Sequence, residues 1–145
     1  MALPLKKFRE IVFQLLYSRD FEESDWEEII PMVMRQLTIP KRVAREGKER
    51  AEAIWQLRSE LDEKINGKAN DYEDGRIPRV ERSILRMGLY ELSHTDVPPK
   101  VVIAEAIRLT RKFATRESGA FINAILDALH KESEDATISE ELPVS

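Results

Sequence analysis

The chain has 145 residues, 42% of them apolar and 34% charged, with a formal net charge of −4 and no cysteine. That length and apolar share suit one domain with its own core. The missing thiols exclude a cysteine nucleophile, a disulfide and a cysteine-based zinc site, which suits the reducing cytosol. No apolar run resembles a signal peptide or approaches the roughly 18 residues of a membrane span, and the acidic balance argues against a general nucleic-acid binder.

The first helix is expected from Pro4, a residue pre-set for the first helical position, to about Asp20. Leu5, Phe8, Val12, Leu15 and Leu16 form its apolar stripe. Ser24 opens a capping box with Glu27 and starts a second helix to about Leu37, which Pro31 either kinks or delays. A long third helix is expected over 40–66, because Val43, Gly47, Ala51, Ile54, Leu57, Leu61 and Ile65 keep one unbroken stripe. Asn66 and Gly67 end it, and 67–77 read as a linker. The fourth helix, 78–93, is apolar over more than half its circumference and so should be central, with Gly88 admitting a close neighbour. A fifth helix follows Pro98 and Pro99 to about Ala114, and a sixth spans 118–131 with Phe121, Ile122, Ile125, Leu126 and Leu129 inside. No segment shows strand-like alternation. The expected class is all-α, a bundle of six to seven helices in two packed three-helix subdomains. One domain covers 1–131, divided at about 70/71, and an acidic disordered tail occupies 132–145.

No phosphate loop, dinucleotide fingerprint or nucleophile elbow is present, so no catalytic residue, metal or cofactor is assigned. His94 and His130 each follow a helix without a carboxylate at ligand spacing and read as solvated or capping groups. Glu91 falls in the centre of the apolar arc of the fourth helix, so a basic or hydrogen-bonding partner from another helix is required. Glu81 suits the first turn of that helix through the helix dipole, with a partner contact as the alternative. Charge is uneven along the chain. Residues 1–20 carry Lys6, Lys7, Arg9 and Arg19 against Glu10 and Asp20, and 97–116 carry Lys100, Arg108, Arg111, Lys112 and Arg116 against Glu105. The basic start of the first helix suits phosphate. Phe13 and Tyr17 lie opposite that helix's stripe, where they can stack on bases, dock a protein or pack on the second helical group.

Residues 76–92, RIPRVERSILRMGLYEL, resemble the signature segment of the NusB family of transcription antitermination factors. The likeness continues through 96–106, DVPPKVVIAEA, then Lys112, Phe113, Ser118 and 121–127, FINAILD, and includes FREIVFQLLY at 8–17. It implies two helical subdomains and a cytoplasmic protein that pairs with the ribosomal protein NusE. It also implies binding of single-stranded boxA RNA and action, through that assembly, on elongating RNA polymerase at ribosomal RNA operons. On this reading Lys6, Lys7, Arg9, Ser118, Phe121 and Asn123 contact RNA, and Tyr17, Phe21 and Glu81 face the NusE-like partner. The alternatives are a scaffold with weak or lost RNA binding, or a stray module of the kind that precedes RNA cytosine methyltransferases, whose methyl-donor domain is missing here.

Overall fold

In the computed structural model, which describes residues 5–21, 25–69 and 76–141, seven helices carry the regular structure: α1 Leu5–Phe21, α2 Trp26–Leu37, α3 Lys41–Gln56, α4 Arg58–Lys68, α5 Arg79–His94, α6 Pro99–Phe113 and α7 Arg116–Glu141. No helix among these residues is long and apolar enough to cross a membrane.

The expected stripe of α1 is buried at Val12, Leu15 and Leu16, but Ile11 and Phe13 are buried as well. Residues on nearly every side of α1 are therefore covered, and the helix packs against α2, α3 and α5. Phe13 stacks on Phe113 of α6 at 4.6 Å, so this ring packs on the second helical group. The cap of α2 is Asp25, whose side chain accepts the Glu28 N–H at 3.1 Å; the expected cap, Ser24, lies outside the described residues, as does Pro4. Pro31 sits inside α2 without ending it. Thr38 ends it in the left-handed conformation, φ 53°, with its N–H donating to the Met34 carbonyl.

The single long helix expected over 40–66 is two helices. Leu57, at φ −94° and ψ 6°, breaks the α geometry, and Arg58 donates to the Trp55 carbonyl at 2.8 Å. The apolar stripe survives the break because the chain turns while Ile54, Leu61 and Ile65 all stay buried. The break redirects α4, which packs on α5 and α7 as well as on α3. Packing thus changes partners at Leu57, ahead of the linker at which the sequence divides the two halves. Most of that linker, 70–75, lies outside the described residues.

Helices α5, α6 and α7 pack against one another. Gly88 meets α7 closely: a Cβ there would lie 2.8 Å from a Leu126 methyl. The last helix departs from expectation at both ends. It begins at Arg116, with Thr115 Oγ accepting the Ser118 N–H at 3.3 Å, and continues through Glu141, ten residues past the expected end at Lys131. Acidic residues propagate a helix readily when pairs at i, i+4 support them. His130–Glu134 and Lys131–Asp127 do so here, and Lys68 of α4 anchors Glu132 at 3.0 Å. The stretch read as a disordered tail is therefore helical to Glu141, and 142–145 lie outside the described residues.

Candidate nucleic-acid and partner interface

Glu91 of α5 is 7% exposed, and its required partner is Arg9 of α1. Arg9 Nε donates to both carboxylate oxygens at 3.0 and 3.2 Å, and Nη2 donates to Oε2 at 2.8 Å. Arg9 was placed among the phosphate ligands, and that assignment is corrected. Its position on the flank of α1 that faces α5 puts the guanidinium in the core, 5% exposed and fully engaged with a carboxylate.

Two further assignments change together. Glu81 is buried, and Ser118 donates its hydroxyl to Glu81 Oε1 at 2.7 Å. Glu81 lies in the first turn of α5 while Ser118 lies in the first turn of α7. One carboxylate therefore serves two helix N-termini, where negative charge is favoured. Neither Glu81 as a partner contact nor Ser118 as an RNA contact is available at the surface. Phe121 is half-buried against the core and Asn123 is exposed. At about 100° per residue, these two point to nearly opposite flanks of α7, so one groove along the helix does not collect both.

The remaining basic residues come together. Lys6 is exposed and Lys7 half-buried at the start of α1. Beside them, Arg108 of α6 donates to the Lys6 carbonyl at 3.3 Å, to Glu10 at 2.9 Å and to Glu105 at 2.7 Å. Lys112 reaches the same Glu10 oxygen at 3.0 Å, while its own side chain stays 53% exposed. Burial pushes the Glu10 carboxyl up, but hydrogen bonds from Lys112 and Arg108, reinforced by their charges, outweigh burial and hold it below its ordinary value. Arg108, desolvated yet bonded to Glu105 and Glu10, is held above its own. The two basic stretches, whose contacting residues Arg108 and Glu10 are 98 apart in sequence, thus form one face across α1 and α6. Charge counting finds both stretches; the contacts of Arg108 and Lys112 with Glu10 reveal that they touch.

A second surface feature begins in the core. Phe113, Phe13, Tyr17 and Phe21 form a ring ladder with successive centroid distances of 4.6, 5.8 and 6.1 Å. It surfaces at Phe21, which is 57% exposed and carries Arg79 of α5 over its ring at 5.2 Å. Tyr17 is half-buried against the core, so the ladder reaches the surface at Phe21 with Tyr17 behind it. Beneath it lies a network that the sequence did not reveal: Arg86 of α5 forks onto Asp62 of α4 at 2.8 and 2.6 Å and reaches Asp20 of α1 at 3.4 Å. A basic residue inside an apolar arc is the signal that could have found it.

Residues 6–131 match the NusB family. The chain belongs to that family. A transcription antitermination protein NusB from Geobacter sulfurreducens is 37% identical over 123 residues, covering 83% of this chain and 89% of that protein. One from Syntrophus aciditrophicus is 35% identical, covering 90% and 84%. Among solved structures, T. maritima NusB superposes with a TM-score of 0.77 at 30% identity, covering 91% of this chain and 94% of that one. A chain from a complex of the antitermination factors NusB and NusE with double-stranded RNA superposes at 0.75 and 26% identity, covering 88% and 96%. The NusB fold is all-helical, in agreement with the class expected from sequence.

Proposed function

We infer that this NusB-family protein is a transcription antitermination factor. It binds boxA-like RNA, pairs with the ribosomal protein NusE and, in the bacterial cytoplasm, modifies elongating RNA polymerase through that assembly. The observation that carries this is the joining of two basic segments into one face around Lys6, Lys7 and Lys112, on a fold shared with a NusB–NusE–RNA complex. Lys6 and Lys7 are the phosphate contacts on α1, and Asn123 and Phe121 approach RNA from separate flanks of α7. Tyr17 and Phe21 form the NusE-facing edge, since an exposed ring backed by an aromatic ladder supplies rigid apolar contact area.

The test is a titration of labelled single-stranded boxA RNA over a range of salt, with and without NusE, for the wild type and Lys6→Ala/Lys7→Ala. The double variant should weaken binding and flatten the log–log salt slope by roughly 1–2, at about 0.7 per phosphate on single strands. NusE should raise RNA affinity, and RNA should raise NusE affinity by the same factor. An unchanged slope in a folded double variant removes the phosphate site from the start of α1. The burial of Arg9, which leaves that helix start with two lysines, favours the second reading: a NusE-binding scaffold with weak RNA affinity. Strong NusE binding without RNA coupling would select it.

A further inference from the structure

Two charged residues stand where their own helices disfavour them. Asp20 is the penultimate residue of α1, at the negative end of that helix, and Arg79 is the first residue of α5, at the positive end of its own. The two ends meet. Arg79 Nε lies 4.0 Å from Asp20 Oδ2, and the Arg79 guanidinium covers the Phe21 ring at 5.2 Å, within the range of a cation–π contact. Between two long, solvated side chains such a pair would do little, because ordering both offsets the attraction. Here the acid is already held. The Asp20 side chain is 19% exposed, and its other oxygen, Oδ1, accepts Arg86 Nη1 at 3.4 Å. Arg86 is fixed in turn. It is buried, its Nε and Nη2 fork onto Asp62 of α4, and its guanidinium lies 5.8 Å from the centre of the Trp55 ring. The contacts thus run without a gap from a buried guanidinium to an exposed ring: Arg86, Asp20, Arg79, Phe21. Phe21 is the last residue of α1, and an exposed ring on a helix end samples several rotamers as the end frays. A ring already held loses less freedom when a partner covers it.

We propose that Asp20 is a positioning residue for the partner-facing edge: held by Arg86, it draws Arg79 over Phe21 and sets the ring before NusE binds. The inference rests on the reading of Phe21 as a NusE contact and adds residues that reading does not use. Asp20 acts through Arg79 and Phe21 without touching the partner, since both of its carboxylate oxygens face arginines of α5. The network also accounts for a guanidinium inside the apolar arc of α5. Asp62 fills two of its nitrogens, and the third reaches across to α1.

The experiment is a double-mutant cycle on the full chain. NusE affinity is measured by calorimetric titration for wild type, Asp20→Asn, Phe21→Ala and the double variant. Asparagine keeps the size of the side chain and removes its charge, while Arg86 keeps its fork on Asp62, so the unfolding midpoint should stay near that of wild type. Asp20→Asn should weaken NusE binding by roughly 3–10-fold, the effect of ordering one freed side chain on association. The same change in the Phe21→Ala background should have no effect, because no ring is left to place. Affinity for boxA RNA without NusE should be unchanged in Asp20→Asn, since Lys6 lies roughly 20 Å away along α1 at 1.5 Å per residue. Wild-type NusE affinity in Asp20→Asn, alongside weakening in Phe21→Ala, would overturn the positioning role and leave the NusE edge intact. Losses that add in the double variant would give Asp20 a partner contact of its own, also against the proposal. A lowered midpoint with weaker binding of both NusE and RNA would make Asp20 a residue of the fold alone. Wild-type affinity in all three variants would overturn the NusE edge and the proposal with it.

Discussion

The Arg9–Glu91 pair joins α1 to α5 with three hydrogen bonds in a site where neither side chain is more than 9% exposed. Desolvating two charges largely cancels their attraction, so the intact pair adds little net stability, yet removing one partner strands the other. Glu91→Leu should therefore cost about 3–5 kcal/mol in denaturant unfolding. Arg9→Met added to Glu91→Leu should recover most of that, because neither charge then remains buried. A single-variant loss below about 1 kcal/mol would show that Arg9 escapes to water. Glu10 behaves differently because its partners are partly solvated. Its folded pKa lies below the ordinary 4.5, so its contribution is complete above that value and is lost as pH falls through the depressed folded pKa. The stability gap between wild type and Glu10→Gln should accordingly be constant from neutral pH down to about 4.5 and shrink below it. A gap that closes before the pH reaches that value would mean that Lys112 and Arg108 do not hold the carboxylate in solution.

At the scale of elements, helix contacts turn on side-chain volume at the crossings. A Cβ on Gly47 of α3 would sit 2.5 Å from Ile11 Cγ2 and 3.4 Å from Ile11 Cβ in α1. That methyl branches directly from Cβ and has no flexible end to swing away. Gly47→Ala gains about 1 kcal/mol of helix propensity. Overpacking at such a crossing costs about 1–3 kcal/mol, so the net effect should be destabilising in thermal or denaturant unfolding. A stabilised variant would show that α1 and α3 separate cheaply. The same change at Gly88 meets the terminal methyls of Leu126, which can rotate, and should be the milder of the two. The rule also explains why α3 and α4 are separate: the apolar spacing is continuous through Leu57, but covering both α1 and α7 requires the chain to change direction there.

For the whole molecule, α1 is the shared element. It packs on α2 and α3, pairs with α5 through Arg9, reaches α6 through Glu10 and Phe13, and meets α4 indirectly through Asp20, Arg86 and Asp62. Its start carries the basic face, and its end carries the exposed Phe21. A strand of RNA at one end and a protein at the other would therefore both act on the helix that ties the two helical groups together. That would give the reciprocal coupling proposed between RNA and NusE a physical route, through the order of α1 itself.

The residue pattern alone determined the helical class, the need of Glu91 for a partner, the small-residue contact at Gly88 and the family, because these rest on local period, burial cost and motif order. It also marked both basic stretches. Tertiary structure decided which charges remain on the surface. Arg9, Glu81 and Ser118 have residue types that suit a surface site, yet each faces a complementary group on a distant helix and is buried against it. Periodicity describes the rotation of a side chain around its own helix and carries no information about what the neighbouring helix presents. That is why Arg9 could be read as a phosphate ligand although its guanidinium is held by Glu91 of α5.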